Sequence, residues 1–152
     1  MLNSILNDKD FSSMMQRNIE DMLIYLLERE QNFGILCRLD EVSFEPELPS
    51  SIMENFGQLT LFFLAGYTFE SAILDDSFIS FEAGFGSDNF GSIVSVPFFS
   101  IVQIIVDESP LLINLSEYRP KFELSKSDDP KGVENSMSAF LSNPENSKFL
   151  KK

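Results

Sequence analysis

From Phe11 onward, apolar residues recur every three or four positions: Phe11, Met15, Ile19, Met22 and Leu26, with Leu23 and Leu27 widening the stripe. This periodicity predicts an amphipathic helix whose opposite face carries Arg17, Glu20, Asp21 and Glu28. Asp10 or Ser13 suits its start, Gln16 completes a capping box on Ser13, and Gly34 suits its end. At Ile35 the period changes to two, through Ile35, Cys37 and Leu39 and then Val42 and Phe44. The parity slips at Asp40-Glu41, as a bulge or turn would make it.

Further on, "EPELPSS" reads as a loop with two prolines. "GQLTLFFLAG" is a glycine-bounded strand whose unbroken apolar run predicts burial on both faces, and "YTFESAILDD" reads as a more exposed strand or turn. In "FEAGFGSDNFGSIVSV", a strand puts Phe81, Ala83 and Phe85 on one side and Glu82 and Gly84 on the other. A polar hairpin then returns it through a partner strand. Small residues in mid-strand pack little, so Ala83 and Gly84 imply a bulge or the close approach of another chain. Pro97 suits the first turn of a helix with Phe98, Val102 and Ile105 on one face, and "LLINL" reads as a last short strand. The fold class is therefore α+β: an N-terminal helix, a small antiparallel sheet or barrel of about five or six strands, a short C-terminal helix and a tail.

Composition narrows the chemistry. With no histidine and one cysteine, common zinc sites and Ser-His or Cys-His catalysis are absent, and no carboxylate pair stands out, so no enzyme and no cofactor are expected. No run of about 18 apolar residues is present, so no membrane span is expected. The opening "MLNSILNDKDF" lacks a basic n-region followed by an apolar h-region. A cytoplasmic protein with Cys37 buried and inert is the expectation. Residues 1–115 hold four basic and eighteen acidic residues, a net of −14, whereas 116–152 net +1. So acidic a body repels phosphate backbones, which argues against nucleic acid. After Leu115 the chain turns rich in Pro, Ser, Asn and charge, the composition of a flexible tail, and ends on "SKFLKK".

In order along the chain, "IYLLEREQN", "FGQLTLFFLAG", "DSFISFEAGFG" and "IVSVPFFSIVQII" resemble the stringent starvation protein B (SspB) family, specificity-enhancing adaptors of the ClpXP protease. The resemblance covers residues 17 to about 109. It implies an Sm-like small barrel, often a homodimer through the N-terminal helix, in the bacterial cytoplasm. It also implies three segments: 1–115 as a peptide-binding domain, 116–147 as a linker, and 148–152 as a peptide docking on the N-terminal domain of ClpX. The partners would be proteins carrying ssrA-like degradation tags, delivered without catalysis by the adaptor. The family's groove maps onto Leu59, Leu61, Phe81, Ala83, Gly84, Phe85, Gly86, Val94 and Val96, and its docking peptide onto Lys148, Phe149, Leu150, Lys151 and Lys152. The family's arginines after the groove Ala and in the hairpin are missing here, where Gly84, Asn89 and Phe90 stand. An acidic secretion or general chaperone that binds unfolded segments is the alternative; such chaperones usually lack a tail of this kind.

Overall fold

The computed structural model describes residues 1–119. Its first long element is α2 (Lys9–Glu28), preceded by a short helix α1 (Leu2–Leu6). The apolar stripe read from the sequence faces the core: Ile19, Leu23 and Leu26 are fully buried, and Met22 and Leu27 pack beside them. Each such side chain contributes about 1.5–3 kcal/mol by leaving water. The helix starts earlier than the expected caps. Asp8 is the N-cap, its carboxylate accepting the Phe11 amide at 2.9 Å, while Gln16 donates to buried Ser12. At the other end Glu30 takes the left-handed conformation (φ 56°) foreseen for Gly34. Gly34 lies instead inside the first strand, where a Cβ would press on Leu61.

Eight strands follow, in two antiparallel four-stranded sheets. β1 (Phe33–Arg38), β3 (Leu59–Leu64), β7 (Ile101–Val106) and β8 (Ser109–Ile113) form one, in the order β3-β1-β7-β8. β2 (Ser43–Glu45), β4 (Ile73–Leu74), β5 (Phe78–Phe85) and β6 (Phe90–Pro97) form the other, in the order β2-β6-β5-β4. The chain changes sheets four times, twice at single 3-10 turns. Leu39–Glu41 is the place of the parity slip, and Phe98–Ser100 packs against α2. Between the sheets lie Phe33, Ile35, Cys37, Phe62, Leu64 and Ile104 from one, and Ile79, Phe81, Val94 and Val96 from the other. Neither sheet pairs with the other, so the strands do not close into a barrel.

Three expectations are corrected. The expected helix does not start at Pro97: a 3-10 turn ends at Ser100 and β7 begins. Five of the six β7 residues are β-branched, which costs rotamer freedom in a helix and suits a strand. A register shift against β1 turns both Ile101 and Ile104 inward, a three-residue spacing that imitates a helix. Secondly, β3 is not buried on both faces. As an edge strand it alternates, with Thr60, Phe62 and Leu64 inside and Leu59, Leu61 and Phe63 outside. Lastly, the "YTFESAILDD" stretch forms a helical turn, α4 (Gly66–Glu70), before β4. "EPELPSS" is the predicted loop, leading into a short helix α3 (Ser50–Met53).

The compact unit runs to Tyr118 rather than stopping at Leu115. Buried Asn114 donates its side-chain amide to the Ile101 carbonyl at 3.0 Å and accepts from the Ser116 amide at 2.9 Å, and the Glu117 amide donates to the Leu6 carbonyl. From position 120 the expected linker lies outside the described residues, as does the docking peptide at Lys148, Phe149, Leu150, Lys151 and Lys152. Among the described residues, no helix is long and apolar enough to cross a membrane.

Candidate peptide-binding surface

Strand β5 carries the motif that first singled out this region. Ile79 and Phe81 point inward and are buried; Ala83 and Phe85 follow on the same side but are only half-buried. Partial exposure of an inward-facing alanine that packs on the core means that its cover is incomplete. The strand pairings give the reason. β4 covers only Ile79 and Ser80, so from Phe81 to Phe85 β5 has a partner on one side, β6. β3 likewise has β1 on one side and no strand on the other.

The two one-sided strands meet through aromatic rings. Phe62 of β3 lies 5.9 Å from Phe81 and 6.5 Å from Phe85, centroid to centroid. Half-buried Phe44 and Phe56 complete the cluster, each 5.9 Å from Phe85. Edge-to-face packing of this kind adds to the area it buries. α4 packs on both β5 and β3, and its Tyr67 donates from Oη to Glu82 Oε1 at 2.7 Å. That bond, then the carboxylate charge, pushes the Tyr67 phenol above its ordinary range. Ser71 Oγ accepts the Glu82 amide at 2.8 Å, satisfying one backbone donor that β4 does not reach.

The groove residues named from the sequence divide accordingly. Leu59 and Leu61 are 50% and 53% exposed on the outer face of β3. Ala83 and Phe85 sit at the uncovered stretch of β5. Phe81, Val94 and Val96 are core residues rather than groove lining. They point inward in mid-sheet, with Phe81 paired to Val94 and Ile79 to Val96, and no more than 1% of any of the three is exposed. Gly84 is exposed, and its smallness has a different cause from the one expected. A Cβ there would collide with the side chain of Asn89, so the glycine makes room for the chain's own hairpin. Gly86, at φ 75°, opens that hairpin beside Ile52.

Two residues on this surface were not singled out from the sequence. Phe63 is 62% exposed beside Leu61, hidden in an apolar run that does not say which strand is an edge. Arg38 ends β1 opposite Leu59, and its Nη1 is buried without a hydrogen-bond partner. Cys37, by contrast, is wholly buried, and desolvation pushes its thiol upward, away from the reactive thiolate. Among the described residues, no three His, Cys, Asp or Glu side chains cluster to hold a metal. Compared with known proteins, the chain matches no family model and no curated protein.

Proposed function

We propose that this protein binds extended peptide tags and delivers their bearers to an energy-dependent protease, as SspB-type adaptors of ClpXP do. On this reading its two sheets are an Sm-like arrangement left open between β3 and β5. The observation that supports it best is Ala83, inward-facing yet only half-buried, on a stretch of β5 that has a strand on one side alone, as β3 does. An extended peptide suits such a place, because unpaired strand edges offer backbone hydrogen bonds and the apolar residues around them receive alternate side chains. The exposed row Leu59, Leu61 and Phe63 supplies apolar surface of the sort that marks interaction sites. Exposed Met14, Ile24 and Tyr25 on α2, with Leu2 and Ile5 on α1, fit the family's pairing of N-terminal helices. In this proposal the protein works in the bacterial cytoplasm, and ClpX engages residues 148–152.

The test is Ala83→Gln, with ssrA-like peptide affinity and melting temperature measured on the same preparation. A glutamine would occupy the space a peptide needs, so binding should fall at least tenfold with little change in melting. In a closed core the same overpacking would cost about 1–3 kcal/mol of stability. A variant that melts early, or binds normally, would remove Ala83 from the site.

A further inference from the structure

We infer that the outer face of β1 and β3 selects peptides by a carboxylate: an acidic side chain seated at Arg38, with apolar side chains two and four positions along the same strand. This rests on the peptide-binding reading above and specifies its ligand. Register puts Arg38 opposite Leu59, Leu36 opposite Leu61, and Gly34 opposite Phe63, all on the face turned away from the core. Leu61 lies over Gly34, and Leu59, Leu61 and Phe63 remain half or more exposed. The result is an apolar strip with one cation at its end. No other strand residue in either sheet is basic.

Arg38 is an odd occupant of that place. Its Nη1 is buried with no hydrogen-bond partner, in a protein that carries a net charge of −13. Burial closes Nη1 itself to a ligand, but the side chain as a whole is only half-buried, and a guanidinium is best satisfied by a carboxylate through charge-assisted hydrogen bonds. A peptide added along the free side of β3 would lie two strand spacings, about 9.5 Å, from β1. A glutamate side chain on its outward face can meet the long arginine side chain across that distance, over Leu59. Strand periodicity then sets the next two same-face residues beside Leu61 and Phe63, where apolar side chains belong. Overall negative charge opposes acidic ligands at long range, but salt screens that repulsion far more than a partly buried contact.

A random heptapeptide display library panned on full-length wild type, Arg38→Met and Ala83→Gln tests this at physiological salt. Wild type should enrich peptides with an acidic residue two positions from an apolar one, and Arg38→Met should keep the apolar preference and lose the acidic one. A synthetic peptide from the wild-type pool should bind Arg38→Met on the order of tenfold more weakly. Its Glu→Gln analogue should be as weak on wild type, and no weaker on the variant. Binders without acidic preference, or an acidic preference that survives Arg38→Met, would overturn the inference. If those binders still fail on Ala83→Gln, tag binding itself stands. No binders to wild type would sink both readings. Dimers in sedimentation that Leu61→Lys dissolves would assign the strip to a second copy of the chain and also overturn the inference.

Discussion

At position 84 a single hydrogen stands where a methyl group would strike the Asn89 side chain, and that contact governs the hairpin. Asn89 holds a left-handed conformation (φ 54°) that asparagine tolerates and glycine adopts freely. Gly84→Ala should therefore cost less than the roughly 1–3 kcal/mol of an overpacked core, about 1 kcal/mol or below, because the exposed Asn89 side chain can turn aside. In an Asn89→Gly background the same change should cost less still, since the obstructing side chain is gone. Denaturant melts of the four proteins form a double-mutant cycle. Equal costs in both backgrounds would mean that Gly84 is small for another reason. Neighbouring Ala83 shows how differently two adjacent small residues can be explained: one faces the hairpin's own side chain, the other an uncovered stretch between sheets.

At the scale of elements, α4 is held to its sheet by a titratable bond. The Tyr67 phenol donates to Glu82 on β5, and its pKa is raised by that bond first and by the carboxylate charge second. A group whose pKa is raised on folding contributes fully below its unfolded value and loses the contribution as pH rises through the folded one. The clasp should thus hold through neutral pH and open only above the ordinary tyrosine range. Ultraviolet titration, with Tyr67→Phe subtracted to isolate this phenol, should show a late ionisation that Glu82→Gln moves back down; an unmoved midpoint would refute it. Neither partner advertised this role in the sequence, because "YTFE" carries no helical period long enough to reveal a single turn. Longer periods were legible: the α2 stripe, the β5–β6 hairpin and the parity slip after β1 all read correctly. What misled was local geometry set by tertiary neighbours. The β7 bulge gave a strand a three-residue spacing, and nothing in "LTLFFL" distinguishes an edge strand from a central one. The site was half legible for the same reason. Ala83, Leu59 and Leu61 stood out as small or apolar strand residues, whereas the Phe81, Val94 and Val96 pairings point into the core and the place of Arg38 opposite Leu59 depends on strand order.

For the molecule as a whole, the proposed adaptor function would assign binding and delivery to different parts of the chain. The segment to Leu115 nets −14, while residues 116–152 net +1 and close on Phe149 and Leu150 among Lys148, Lys151 and Lys152. An apolar pair between cations can bury area on a partner and add charge complementarity at its rim. Under the proposed function, two binding elements on one chain would raise the effective concentration of cargo at the protease without any new contact to the cargo. The compact unit ends at Tyr118, well before these positions in the sequence, so removing residues 148–152 should leave its stability alone. The expectation is that a chain lacking residues 148–152 binds ssrA-like peptide and melts as the full protein does, yet no longer stimulates ClpXP degradation of a tagged reporter at limiting substrate. Phe149→Ala with Leu150→Ala should lose nearly as much, whereas substitutions at Lys151 and Lys152 should act mainly through salt-sensitive association rate. Full stimulation by the truncated chain would separate the terminal residues from delivery and favour a chaperone that holds unfolded segments on the β3 face.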